Sequence, residues 1–391
     1  MAQRGGVAIA HTRRRHTPQE ALALVRRALD LLGGVERFVT PGQQVFLRPD
    51  LPLPRLAREG ATADPWVVAA VVHLCLEAGA RRVLVGDIPR FGFSSRAVMA
   101  ATGVARAVRR AGGEPVALDE APLQEVAVPD GQVAQRVPLP APAAQSDVVL
   151  QVCKGRTGLL EPISGALEGW RGAIPRHLRG LYDGPEAVAY LLDAVAARPP
   201  RLTLVDAIIA GEGDGPLAVT PRRVGCILAS TDPVATDVVT ARLLGFAPAA
   251  LGHARLAAQR GLGEAEPHRV TVLGPPPEAV RVPLRPATRT LDWLPANLVV
   301  GAGVDWAGTL GRFKEVADLW RHDGTWRLVL EARGRPTFLL GAAEDPRFQE
   351  HLRQGPYVAL DDAALERYRV HPAVRVVPGH PVLWGGVGGG G

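Results

Sequence analysis

The stretch that most limits what this chain can fold into is Asp147 to Val152, followed by Cys153-Lys154-Gly155-Arg156-Thr157-Gly158. It reads as a continuous apolar strand, the pattern of a strand buried on both faces inside a parallel sheet. A second such strand spans Leu202 to Ile209. Shorter strands are predicted at Val7–Ala10, Gln44–Leu47, Arg82–Val85, Pro115–Leu118, Val224–Ser230 and Arg269–Leu273. Between them lie helical signals. Thr17-Pro18-Gln19-Glu20 is a capping box with proline at the first helical position. Asp64-Pro65 opens a helix over Trp66–Glu77 that is apolar nearly all round, and Asp232-Pro233 opens another over Val234–Leu244. Further helices are expected at 95–101, 104–111, 185–197 and 251–260, and a turn at Asp130-Gly131 joins short strands within 126–137. Strands alternating with helices predict an α/β fold, a mainly parallel sheet with helices on both faces.

The chain is long enough for more than one domain. The reading is an α/β core over residues 1–273, a proline-rich linker over 274–288, a smaller C-terminal α/β domain over 289–384 and a flexible glycine-rich tail over 385–391. In the second domain, 326–331, 337–340 and 374–377 read as strands and 345–354 as a helix.

Composition removes several function classes. The three cysteines form no CxxC pair, which argues against a disulfide framework and a cysteine-held zinc or iron–sulfur site and points to a reducing, cytoplasmic setting. No apolar run suits a signal peptide or a membrane span. The basic residues are interleaved with acids, without an aromatic-basic module, so nucleic acid is not expected as a partner, and for want of a spanning segment neither is a membrane. Of the 45 basic residues only Lys154 and Lys314 are lysine, leaving 43 arginines. A lysine retained against that drift marks a place for a compact point charge, or for an amine of adjustable pKa, as well as for a residue of purely local fit.

Ligands of open α/β sheets bind at the carboxyl ends of the strands. Polar residues gather at several predicted ends: Arg48 and Asp50, Asp87, then Lys154, Arg156 and Thr157, then Glu212 and Asp214. Lys154, Arg156 and Arg48 suit an anionic group such as phosphate or carboxylate, with Thr157 and glycine amides beside them. Glu212, Asp214 and Asp87 suit proton transfer or oxygen ligation of a metal. Each also has a bland role: Asp87 in a turn, Glu212 to Pro216 as a glycine turn. Asp232 is read as a helix cap, with Asp237 a poor metal partner for it. His73 is expected as a core histidine, His177 as a weak acid–base candidate, and Cys153 as a buried thiol beside Lys154.

From Val7 to Leu273 the chain resembles the domain-of-unknown-function 362 family. The resemblance rests on Leu47-Arg48-Pro49-Asp50, Ala61-Thr62-Ala63-Asp64-Pro65, Gly86-Asp87-Ile88-Pro89, Lys154-Gly155-Arg156-Thr157, Ser164-Gly165-Ala166-Leu167, Glu212-Gly213-Asp214-Gly215-Pro216 and Thr231 to Asp237, in that order. It implies a fold and a site location rather than a reaction. Two positions depart from the family's pattern. Its Lys-x-Lys-Thr-His becomes Lys154-Gly155-Arg156-Thr157-Gly158, and its Lys-Asn pair becomes Glu168-Gly169. The ferredoxin-like cysteine segment of many relatives is missing, so the resemblance implies no iron–sulfur cluster, and any cofactor is left unidentified. The expectation is a cleft for a small anionic ligand, built by Arg48, Asp87, Lys154, Arg156, Thr157, Glu212 and Asp214. It would serve an enzyme or a non-catalytic binding module. A redox protein working with a separate electron carrier is a third reading.

Overall fold

A computed structural model describes residues 6–90, 93–179, 184–300, 309–333, 337–340 and 357–358. In chain order the elements are β1 (Gly6–His11), α1 (Pro18–Asp30), β2 (Gln44–Pro49), α2 (Pro65–Glu77), β3 (Arg82–Val85), α3 (Ser95–Ala101), α4 (Val104–Arg110), β4 (Glu114–Pro115), β5 (Leu123–Ala127), β6 (Arg136–Pro140), α5 (Ala141–Gln145), β7 (Val148–Thr157), β8 (Ile163–Ser164), α6 (Ala166–Gly169), α7 (Gly184–Ala197), β9 (Leu202–Asp214), β10 (Ala218–Ser230), α8 (Pro233–Leu244), α9 (Gly252–Gln259) and β11 (Thr271–Leu273). Beyond them lie β12 (Asn297–Val300), α10 (Thr309–Asp323), α11 (Thr325–Arg333), β13 (Thr337–Leu340) and β14 (Tyr357–Val358).

The main sheet runs β11-β1-β10-β9-β7-β2-β3-β4, with β8 paired to β7. β7 is parallel to both β2 and β9, β2 to β3, β3 to β4 and β1 to β11. β10 runs antiparallel to β1 and β9. The sheet is therefore mainly parallel, as the uninterrupted apolar strands imply. Alternation sorts the side chains. Val148, Leu150 and Val152 of β7 join Leu202 and Leu204 of β9 in one core with α1, α2 and α4. α6, α8 and α9 cover the opposite face. α1 shows how the pattern dictates its docking. Ala21, Leu24, Val25, Ala28 and Leu29 are its buried residues, spaced as one helical stripe.

The chain divides into two compact units, residues 1–175 with 188–287, and 176–187 with 288–391. In the second, β12, β13 and β14 form a parallel sheet. Residues 326–331, expected as a strand, belong to helix α11. Gly324, at φ +81°, breaks α10, Asp323 accepts from the Thr325 amide at 2.9 Å, and Trp326 then packs edge-on against Trp320 with centroids 5.1 Å apart. The helix expected at 345–354, the strand at 374–377 and the tail lie outside the described residues.

The proline-rich stretch read as a linker is laid along the first unit. The amides of Val282 and Leu284 donate to the carbonyls of Leu243 and Leu244 at 3.0 and 2.9 Å, and the Arg285 carbonyl accepts from Gly213 at 2.8 Å. Proline's missing donors do not prevent this, because the intervening residues supply them. His73 is also corrected. It stands on the solvent side of α2, 53% exposed, with Glu77 one turn on at 3.8 Å.

Asp232 caps α8, accepting from the Ala235 amide at 2.8 Å while its second oxygen accepts from the Glu264 amide at 2.9 Å. Asp232→Ala is expected to lower unfolding free energy by about 1–2 kcal/mol, with Asp232→Asn losing less. Urea unfolding measures both, and a wild-type midpoint for the alanine variant would contradict the assignment.

Candidate functional site

β7 extends through Thr157, so Lys154 and Arg156 lie within the strand rather than after it. They share the face of Val152. On that face Lys154, 1% exposed, places Nζ 2.9 Å from Oδ2 of Asp206. Asp206 sits directly across on β9, in the parallel register that pairs the two residues. It also accepts from the amides of Asp64 and Ile208 at 2.9 and 3.1 Å. Asp50, at the end of β2, accepts from the Lys154 amide at 3.3 Å and from Arg156 at 2.9 Å. Arg156 donates a second bond to the Ala61 carbonyl. Asp64 caps α2 through the Trp66 amide and meets His16 Nε2 at 2.9 Å. Burial alone would raise the Asp64 carboxyl. The hydrogen bond with His16 and the field of Lys154 bring it below its ordinary value.

Arg48 points the other way. Its guanidinium donates to Asp87 at 3.1 Å and lies 3.6 Å from the Cys153 sulfur. Asp87 accepts from the Leu51 amide at 2.8 Å. Backbone presses directly on the pair. A Cβ at Gly172 would stand 1.8 Å from Asp87 Oδ1 and 2.5 Å from Arg48 Nη1. Burial pushes the Cys153 thiol up to about 12, against the opposing pull of Arg48, and Lys154 faces away from it. Cys153 is therefore a buried thiol.

Deeper on this face, His253 is enclosed between Asp237, 3.2 Å from Nε2, and Glu161, 3.3 Å from Nδ1. Both carboxylates also hold backbone. Asp237 accepts from the amides of Ala166 and Leu167 at 2.5 and 3.1 Å, and Glu161 from those of Gly252 and His253 at 2.9 Å each. Burial by itself lowers the imidazole's pKa. The two carboxylates overturn that and raise it to about 10, so the ring is an imidazolium at neutral pH.

The residues expected in one cleft thus fall into three groups. Lys154 and Arg156 share one face with Asp50 and Asp206. Arg48 and Asp87 lie on the other. Thr157 spends its hydroxyl on the carbonyls of Gly213 and Gly211, at 2.9 and 3.4 Å. Glu212 is bound by the Arg285 amide at 3.1 Å and its Nε at 3.3 Å, and Asp214 lies opposite Ala218 where β9 meets β10. The register explains the separation. β9 bulges after Asp206, so Arg156 pairs with Gly211 and Glu212 is carried past Lys154. Asp87, Glu212 and Asp214 form no metal set, and no cluster of three or more ligating His, Cys, Asp or Glu occurs among the described residues. His177 lies in a short 3-10 turn and is exposed.

Sequence reasoning missed Asp206, Asp64, His16, Glu161 and His253. Asp206 did leave a signal, as the one charge inside the apolar run 202–209. The departures at 158 and 168–169 have structural counterparts. A Cβ at Gly158 would meet the Glu161 carbonyl at 2.7 Å, so the position has no space for a histidine. Glu168 pairs with Arg171 at 2.9 Å. Against the upward push of burial, that partner lowers its carboxyl to about 2.

Fold and site together define an open-sheet α/β protein with ionised residues buried at the carboxyl edge of its parallel strands. The chain belongs to the family described as "Domain of unknown function (DUF362)", whose profile matches residues 45–242. A curated relative, the thylakoid-associated protein sll1697 of Synechocystis sp. (strain ATCC 27184 / PCC 6803 / Kazusa), is 30% identical over 249 residues, covering 62% of this chain and 75% of that protein. Among solved structures, the lactate racemase apoprotein from Thermoanaerobacterium thermosaccharolyticum is similar with a TM-score of 0.35 and 11% identity. That match covers 60% of this chain and 57% of the racemase chain.

Two outcomes follow from the ion pairs. Lys154→Met leaves Asp206 charged and buried, and is expected to cost about 3–5 kcal/mol in chemical unfolding. Adding Asp206→Asn, which removes the unpaired charge and whose single side-chain oxygen keeps one of the two amide bonds from Asp64 and Ile208, should recover part of that loss. For His253, a folded-state pKa raised to about 10 means a contribution that is complete below the unfolded value of 6.5 and lost as pH rises through about 10. The melting-temperature advantage of the wild type over His253→Gln should therefore shrink between about pH 6 and about pH 10.5. A constant gap would contradict the imidazolium.

Proposed function

We propose that this protein binds a small anionic molecule through its oxygen atoms at the carboxyl edge of β2, β7 and β9. The observation that carries the reading is an excess of buried donors over acceptors on one face. An ammonium has three N–H groups, and Asp206 is the hydrogen-bond partner of Lys154 Nζ among the described residues. Arg156 Nε, also buried, has no partner among them. Leaving such donors unmet costs about 1–3 kcal/mol each, and a ligand oxygen removes that cost. Asp50 and Asp206 already balance the two cations, so recognition rests on donor direction more than on net charge. Affinity accordingly changes little with salt.

For location we propose the cytoplasm. Cys75, Cys153 and Cys226 are free and buried, in keeping with a reducing compartment. Among the described residues no helix is long and apolar enough to cross a membrane.

Native mass spectrometry of the purified protein should reveal a co-purifying anion. Titration calorimetry with inorganic phosphate and with acetate then compares wild type with Lys154→Arg. Binding should weaken at least about tenfold in the variant, the effect of one lost well-placed charged hydrogen bond, while circular dichroism stays native. Unchanged affinity in Lys154→Arg, or no bound anion and no heat with either probe, would overturn the reading.

A further inference from the structure

Arginines distant in the sequence meet on the surface of the first unit. Arg13, Arg14 and Arg15 follow β1, Arg27 stands on α1, and Arg222 and Arg223 lie on β10. All six are exposed. Arg223 reaches the Arg14 carbonyl across 209 residues of chain, and Arg27 donates to the His11 carbonyl at 3.3 Å. Among the described residues the carboxylate in contact with these guanidiniums is that of Glu20, 3.8 Å from both Arg14 and Arg27, and it also accepts from Thr12 at 2.5 Å. His11 senses the local field. Burial first, then Arg13, Arg223 and Arg27, lower its pKa. At the rim, Trp66 is 37% exposed and lies with its ring centroid 4.9 Å from that of His16, the residue after Arg15.

We propose that this arginine cluster, with Trp66 at its edge, is a docking surface for an anionic lipid bilayer. Guanidiniums pair with phosphate oxygens in a planar, two-pronged geometry. A partly exposed tryptophan beside them is suited to the headgroup layer, where an amphipathic ring is at home. Nucleic acid fits less well. The arginines come from a loop, a strand and the side of a helix, with no element set to enter a groove, and one rim tryptophan is not a stacking platform. The surface meets the Lys154 cluster at its rim, through His16 and Asp64, but the docking does not depend on the ligand reading. A peripheral contact of this kind needs no spanning helix, and among the described residues there is none.

The test is co-sedimentation of the full chain with phosphatidylcholine vesicles, with and without phosphatidylglycerol. The anionic vesicles should retain the protein, the neutral ones should not, and added salt should release it. The triple variant Arg13→Gln/Arg15→Gln/Arg222→Gln alters side chains that make no hydrogen bond among the described residues. At about fivefold per arginine it should bind about a hundredfold more weakly. Arg106→Gln/Arg109→Gln/Arg110→Gln on α4 removes the same charge elsewhere and should bind like wild type. Equal retention by both vesicle types, equal loss in both triple variants, or tighter binding to RNA or duplex DNA than to the anionic vesicles would each overturn the proposal.

Discussion

The central sheet buries cations on both of its faces, Lys154 and Arg156 of β7 on one and Arg48 of β2 on the other, and much of the neighbouring structure answers to that constraint. A buried charge needs a counter-ion within the same dry layer. Lys154 and Arg156 therefore require acids on the α1/α2 side, and Arg48 of the adjacent β2 requires one on the α6/α8 side. Asp206 and Asp50 meet the first demand, Asp87 the second. Asp50 and Asp87 follow β2 and β3 while Asp206 lies within β9, so the pairs tie β2, β3, β7 and β9 into one register. An apolar layer of the same volume would be as stable or more so. The retained charges are better understood as specifying geometry, and as leaving donors for a ligand.

Much of the fold was legible because burial on both faces writes itself as an unbroken apolar run, and because Thr17, Asp64 and Asp232 cap helices in the expected way. The candidate site was legible only in part. Lys154, Arg156, Arg48 and Asp87 are indeed buried at the sheet's carboxyl edge. Their division between two faces depends on side-chain alternation beyond the point where the strand was expected to stop. Glu212 was expected as an acidic partner of Lys154 at the neighbouring strand end, but the β9 bulge carries it past and Asp206 stands opposite. His253 and Glu161 meet Asp237 only through the packing of α9 and the 161 turn, which no local pattern encodes. Residues 326–331 misled for a related reason. Large apolar side chains resemble a strand until the Trp326–Trp320 contact settles them as a helix.

The two departures from the family pattern are absorbed locally. Gly158 lets the 161–163 backbone close onto β7, and that closure puts Glu161 where it grips the start of α9. Glu168 is neutralised by Arg171, while Gly169 lets its backbone rest against Arg48 and Cys153. At both places backbone packs closely, against the 161–163 turn at Gly158 and against Arg48 and Cys153 at Gly169.

The scarcity of lysine has a consequence for the chemistry of the folded surface. Lys154 is 1% exposed and Lys314 is 0% exposed, the latter held against Asp318 in α10. These are the only lysines in the chain, so the native protein offers no accessible ε-amine to acylating reagents, acetyl donors or ubiquitin transfer. Reaction at either position requires the fold around it to open. Lysine acylation thus becomes a site-resolved clock for opening, with Lys154 reporting the central sheet and Lys314 reporting the second unit.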